Sequence, residues 1–153
     1  MFPMLHPAAD SAPAPLLTWS RAFPATPLQA REARRFLSRI LDGRPAADDA
    51  ALCLGELAAN ATIHSTSRNG GHFTVRVQLG EGCIRVEVHD QGGPWTWPAP
   101  ADQQHGRGLL IVASLARNWG VQGNSNTGWT VWFEMDVRHE RPPSQYKAAH
   151  RAR

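Results

Sequence analysis

Glu56, Asn60 and His64 are spaced four apart in the segment Glu56-Leu57-Ala58-Ala59-Asn60-Ala61-Thr62-Ile63-His64. On a helix they would form one polar stripe, opposite Leu54, Leu57, Ala58 and Ala61. A carboxylate, a carboxamide and an imidazole on an Ala-rich helix are unusual as plain surface, where Lys or Arg would stand beside Glu. The Asn60 amide oxygen suits a hard cation such as Mg²⁺, which keeps several waters and takes few protein ligands. Glu56, one turn away, could accept a proton from a hydroxyl or water attacking a phosphate. His64 reads more simply as a packed or capping histidine.

Two further clusters follow. Asp90-Gln91-Gly92-Gly93-Pro94 comes directly after the alternating segment Ile84 to Val88. A carboxylate at a strand's end is acceptor-only and can take a hydrogen bond from an exocyclic amino group such as adenine's. Glycines beside it let the backbone approach a flat ring. The same five residues also make an ordinary turn. His105-Gly106-Arg107-Gly108-Leu109 opens a helical pattern. Glycines at a helix N-terminus expose backbone N–H groups where the helix dipole favours an anion, and Arg107 adds a planar cation. A flexible loop-to-helix junction is the alternative reading. Neither a Walker A loop nor a complete Gly-x-Gly-x-x-Gly fingerprint is present.

The elements that must position these clusters can be read from the pattern. Leu16 to Phe23 reads as an edge strand. Thr26 as N-cap, Pro27 at the first helical position and Gln29 three residues after Thr26 start a helix that carries Ala30, Ala33, Phe36, Leu37 and Ile40 inward and ends near Gly43. Arg31, Arg34, Arg35 and Arg39 decorate its solvated side. A second helix is expected from about Asp48 to Ser65. Phe73 to Leu79 and Ile84 to Val88 alternate around Gly80-Glu81-Gly82 as a hairpin. Residues 91–105 form a loop, and a third helix runs from about Gly106 to Asn118, burying Leu109, Val112, Ala113 and Ala116. A strand starting at Val121 turns at Asn124 to Gly128 into a last strand on which Trp129, Val131, Phe133 and Met135 alternate. The order β-α-α-β-β-loop-α-β-β predicts an α/β (α+β) two-layer sandwich: one mixed, mostly antiparallel sheet with its helices on one face. The other sheet face would be open or covered by a partner.

The order of the clusters resembles the GHKL ATPase superfamily with its Bergerat nucleotide fold, and more narrowly the anti-sigma factor serine kinases and related actinobacterial ATP-binding regulators. Glu56-Leu57-x-x-Asn60-Ala61-x-x-His64 is similar to the N box. Asp90-x-Gly92-x-Pro94 resembles the G1 box, Gly106-Arg107-Gly108-Leu109 the G2 box, and Gly128-Trp129-Thr130-Val131-Trp132 the final Gly-x-Thr-Val-Trp strand. The resemblance spans residues 15 to 137. It implies Glu56 as general base, Asn60 as Mg²⁺ ligand, Asp90 as adenine reader with Gly92 beside it, Gly106, Arg107 and Gly108 as phosphate holders, and Thr130 as a hydrogen-bonding group near the adenine. Position 129 departs from the pattern, being Trp where close relatives often have Lys. The short lid between Asp90 and His105 carries Trp95 and Trp97, whose apolar area could cover a nucleotide or bind a partner.

The resemblance implies an ATP- and Mg²⁺-dependent serine/threonine kinase that phosphorylates a STAS-type anti-anti-sigma protein and binds a sigma factor. A module that binds ATP and a partner without phosphotransfer is the alternative. Dimers are common among such relatives, and the open sheet face could serve one. At 153 residues, with 42% hydrophobic and 19% charged residues, the chain has the composition of one folded domain. No run approaches the ~20 apolar residues of a membrane span, and the N-terminus lacks the layout of a signal peptide. Cys53 and Cys83 lie in apolar patterns and read as reduced, buried thiols of a cytoplasmic protein. Residues 1–14, rich in Pro and Ala, read as a disordered leader, residues 15–137 as the domain and residues 138–153 as a loose basic tail. A net charge of +3, and a tail whose only aromatic is Tyr146, give no expectation of direct nucleic-acid binding.

Overall fold

Thr26 starts the first helix as its side chain suggests. Its backbone is extended (φ −124°, ψ 154°) and its hydroxyl accepts from the Gln29 N–H at 3.4 Å, with Pro27 in the first turn. The computed structural model describes residues 16–64, 70–80, 82–91 and 107–137. They form β1 (Leu17–Pro24), α1 (Pro27–Ile40), α2 (Ala47–His64), β2 (His72–Leu79), β3 (Cys83–His89), α3 (Arg107–Leu115), β4 (Asn118–Asn124) and β5 (Gly128–Asp136). The expected leader, lid and basic tail lie outside the described residues, apart from Gln91 at the start of the lid.

On α1, Ala33 and Leu37 are fully buried, Ala30, Phe36 and Ile40 pack partly against them, and the four arginines face solvent. On α2, Ala50, Cys53, Leu54, Leu57, Ala58 and Ala61 are buried at helical spacing. Asp48 and Asp49 stand in its first turn, where negative charge complements the helix dipole. Glu56 and Asn60 are left half-buried on another side of the helix. The two helices pack closely at Gly55, where a β-carbon would lie 2.7 Å from Arg34 Cδ. The aliphatic stem of Arg34 therefore lies along α2 while its head stays wet.

The sheet has the order β1-β2-β3-β5-β4, and every ladder is antiparallel. Because β5 runs antiparallel to both neighbours, β3 and β4 are parallel to each other, and α3 is the crossover between them. That places the N-terminus of α3 at the C-terminal end of β3, the end that carries Asp90. Phe73, Val75 and Val77 on β2, Ile84, Val86 and Val88 on β3, and Val131, Phe133 and Met135 on β5 form the buried face under the helices. Phe23 stacks on Phe73 at 5.5 Å between ring centroids and meets Phe36 edge-on at 5.8 Å, joining β1 and α1 to that core.

The other face is polar. Arg85 pairs with Glu134 at 2.8 Å and with Glu87 at 3.5 Å, and its guanidinium lies 4.0 Å from the Trp132 ring centre. Trp132 in turn lies flat against Gly120, where a β-carbon would come within 2.7 Å of the indole.

Three expectations need correction. The third helix ends at Leu115 and β4 begins at Asn118, three residues before Val121. The Ala116 N–H still reaches Val112 O (2.8 Å), but the Arg117 N–H already bonds Glu134 O (2.9 Å), so the ladder captures the backbone that the helix would have used. Ala113 is exposed, because the inner side of this shorter helix is occupied by Leu109 and Val112. Cys83 is half-buried rather than buried, since it opens β3 on the polar face opposite Asp136. Its thiol is pushed above the ordinary value by burial first, then by Glu134 and Asp136, with Arg117 acting the other way. Both cysteines are free. No helix of the described residues is long and apolar enough to cross a membrane.

Candidate functional site

Asp90 leaves the end of β3 on the helix side and is 3% exposed. Two hydrogen bonds to one residue of β5 fix it there. Its backbone N–H donates to Trp129 O at 2.9 Å, and its Oδ1 accepts from the Trp129 N–H at 3.2 Å. β5 can start this close because residue 128 is glycine. Gly128 sits at φ +104°, and a β-carbon there would run into the Asp90 carbonyl oxygen and lie 2.9 Å from the His89 ring. A carboxylate has room for several donors, and the Trp129 amide takes one place. The next residue, Gln91, accepts the His72 N–H with Oε1 at 3.2 Å, which ties the exit of β3 to the start of β2.

The second part of the site is the contact of α2 with α3. A β-carbon on Gly108, in the first turn of α3, would lie 2.8 Å from Glu56 Oε2 and 3.2 Å from Glu56 Cβ. The Glu56 carboxylate therefore stands against the N-terminal turn of α3, where unpaired N–H groups and the helix dipole favour an anion. A glycine at 108 is what lets it approach. Asn60 is half-buried one turn further along the same stripe of α2. Arg107 is the first residue of α3; its side chain, like the whole of Gly92 and Gly106 and the side chain of His64, lies outside the described residues.

The structure thus brings Glu56 and Gly108 together at the α2–α3 contact, leaves Asn60 half-buried one turn along α2, and places Asp90 at the same end of the sheet as the start of α3. It does not bring Thr130 to them. β5 alternates, and Thr130 shares the polar face with Trp132 and Glu134, where its Oγ1 lies 2.9 Å from Nδ1 of His89, its partner across the ladder. The residue of that motif on the Asp90 side is Trp129. The signal was already in the alternation of Trp129, Val131, Phe133 and Met135, which fixes Thr130 on the opposite face. The part played by Gly128 is legible only once the approach of β5 to Asp90 is known.

The donor set fits a nucleotide with a weakly liganded cation. Asp90 supplies an acceptor at the end of a strand, and the first turn of α3 supplies backbone donors beside a half-buried carboxylate. Among the described residues no group of three or more His, Cys, Asp or Glu side chains is placed to hold a metal. One Asn60 oxygen, completed by water and phosphate oxygens, is the kind of ligand set that Mg²⁺ takes.

Fold and site together define an open antiparallel sheet with helices on one face, and the candidate residues Asp90, Glu56 and Gly108 lie towards one end of its central strands. Residues 23–135 match the family model HATPase_c_2, the histidine kinase-like ATPase domain, and the chain belongs to that family. Among solved structures, the chain is similar to the RsbU and RsbW domains of Rv1364c from Mycobacterium tuberculosis, with a TM-score of 0.58 and 23% identity. That match covers 85% of this chain and 34% of the other, so the chain spans about a third of that structure's length. A second similarity is to the histidine kinase domain of the blue-light activated histidine kinase of Erythrobacter litoralis EL346, at TM-score 0.48, 19% identity and 82% and 64% coverage of the two chains. A search of the curated proteins found no match.

Proposed function

We propose that this domain is an anti-sigma factor kinase. It would bind ATP with Mg²⁺, transfer the γ-phosphoryl group to a serine or threonine of a STAS-type anti-anti-sigma protein, and hold a sigma factor when that protein is phosphorylated. The observation that carries this reading is the Glu56 carboxylate lodged against the first turn of α3. It is a base placed beside the backbone donors suited to the phosphates. The fold neighbour that carries RsbU and RsbW domains, and the four sequence motifs in order, support the same regulatory class.

In this reading Asp90 accepts a hydrogen bond from the adenine amino group, with Gly92 leaving room for the ring. The N-terminal amides at Gly106, Arg107 and Gly108, with the Arg107 guanidinium, hold the phosphates. Bound through Asn60, Mg²⁺ would offset charge on the β- and γ-phosphates. Glu56 takes the proton of the seryl hydroxyl as its oxygen bonds to the γ-phosphorus. The bond from that phosphorus to the bridging oxygen breaks, and ADP leaves.

The test is phosphotransfer from γ-labelled ATP and Mg²⁺ to the STAS-domain protein that copurifies with the chain, comparing wild type with Glu56→Gln. A general base contributes roughly 10²- to 10⁴-fold, so transfer falls by at least two orders of magnitude while ATP affinity stays within a few-fold. Undiminished transfer by the variant removes Glu56 from this role. Stable ATP-dependent binding of the partner without phosphoserine, by wild type, replaces the kinase with a nucleotide-ordered binding module.

A further inference from the structure

We propose that Trp129 forms the aromatic wall of the base site and is the residue of β5 that sets how tightly the adenine ring is held. The inference rests on the nucleotide-binding reading above and gives it a residue that the family motif does not supply. Four observations carry it. Trp129 is in phase with the buried Val131, Phe133 and Met135, so its side chain lies on the helix side of the sheet with Asp90. Its own N–H and C=O are the groups that seat Asp90, at 3.2 Å and 2.9 Å, so indole and carboxylate stand on adjoining positions of neighbouring strands.

Across the β4–β5 ladder its partner is Gly123, so no side chain stands directly opposite it on β4. The indole Nε1 is buried while the residue as a whole keeps intermediate exposure, so what Trp129 offers outward is apolar ring rather than its polar atom. An acceptor-only carboxylate next to apolar aromatic surface recognises a flat heteroaromatic ring bearing an amino group. The carboxylate reads the amino group, and the indole supplies stacking area that is indifferent to the rest of the ligand.

The experiment is calorimetric titration of the full chain with ATP and Mg²⁺ on wild type, Trp129→Phe, Trp129→Ala and Thr130→Ala. Tryptophan emission is recorded for each in a shared Trp95→Phe and Trp97→Phe background, so that neither of those two residues contributes to the signal. Wild type binds ATP, and its emission changes on binding. Trp129→Phe keeps affinity within about threefold but loses most of that emission change. Trp129→Ala weakens ATP about tenfold or more, in line with the loss of one stacked base. Thr130→Ala, whose side chain faces the other side of the sheet, stays within twofold.

An emission change that survives in Trp129→Phe, or a folded Trp129→Ala that binds ATP as wild type does, overturns the proposal. So does a Thr130→Ala loss equal to that of Trp129→Ala. If Trp129→Ala fails to fold, the Trp129→Phe emission result decides by itself. Absence of ATP binding by wild type overturns the nucleotide reading itself and this inference with it, an outcome distinct from a wild type that binds while the Trp129 variants are silent.

Discussion

Trp129 and Trp132 stand three residues apart on the same strand, each opposite a glycine of β4 (Gly123 and Gly120), yet they serve opposite faces of the sheet. Trp132 lies flat on Gly120 under the Arg85 guanidinium, and Arg85 is in turn answered by Glu87 and Glu134. On that face the Arg85 guanidinium, the Trp132 ring and two carboxylates meet one another. Trp129 lies beside a single buried carboxylate held by backbone, and a second carboxylate, Glu56, stands one helix away against the amides of α3. Residue type and cross-strand neighbour are alike on the two faces. What separates the two sides is the contact each carboxylate makes: Glu87 and Glu134 answer Arg85 on the polar face, whereas Asp90 accepts the Trp129 backbone N–H and Glu56 stands against the first turn of α3 on the helix side.

That contrast can be tested from its strongest consequence downward. On the helix side, Asp90→Asn keeps an oxygen for the Trp129 N–H and so keeps the fold, but it loses the charged acceptor. A hydrogen bond to a charged group is worth about 1.5–3 kcal/mol, so ATP affinity falls roughly 10- to 100-fold by calorimetry, and a variant that binds ATP normally would remove Asp90 from the site. Gly128→Ala attacks the support rather than the reader. With φ at +104° and the Asp90 carbonyl in the way, it should cost on the order of 2–4 kcal/mol, seen as a lowered unfolding midpoint, and it should weaken ATP binding along with stability.

On the polar face the same kind of change should do little. Glu134→Gln removes the closer of the two carboxylates on Arg85, in a pair whose side chains are each 27% exposed. Screened pairs of this kind contribute about 1 kcal/mol or less, and ATP binding should not respond. A large loss of nucleotide affinity in this variant would mean that the two faces are coupled.

The smallest effect concerns Cys83, whose folded-state titration lies above its ordinary value of 9.0 through burial and the nearby carboxylates. A raised value means that the native thiol holds its proton where the unfolded chain has lost it. Its contribution to stability is therefore intact below about pH 9 and is lost as pH rises above that. Alkylation of native Cys83 should be slower at pH 8 than that of a free thiol, and Glu134→Gln, by removing the second of the raising causes, should speed it modestly. An unchanged rate would remove Glu134 from the causes that raise the thiol.

Much of this architecture was legible because the cues are local. Thr26, Pro27 and Gln29 announce α1, the alternation of β2 and β3 announces their hairpin, and Glu56 and Asn60 fall on one helical stripe through a spacing of four. The errors fall where two local patterns compete for the same backbone. Residues 116–118 can continue a helix, but the Arg117 N–H is taken by Glu134, far along the chain. The placement of Thr130 is a different case. The motif suggested the ligand, while the strand period, visible in the same five residues, placed the side chain on the other face. The close approach of Glu56 to Gly108 and of Asp90 to Gly128 could not be read beforehand, since neither glycine is near its neighbour in sequence.

The double hydrogen bond between Asp90 and Trp129 has a consequence for how the chain matures. Asp90 is made early, at the end of a hairpin that can close locally, but the amide and carbonyl that seat it belong to β5, which pairs with β3 only after α3 and β4 have been synthesised. A growing chain that has reached Asp90, or even Asn124 with α3 and β4 added, still lacks β5 and so has no seat for the carboxylate. Competence to hold a ligand should therefore arise in one step, as β5 docks between β3 and β4, and not in proportion to the length of chain that has emerged.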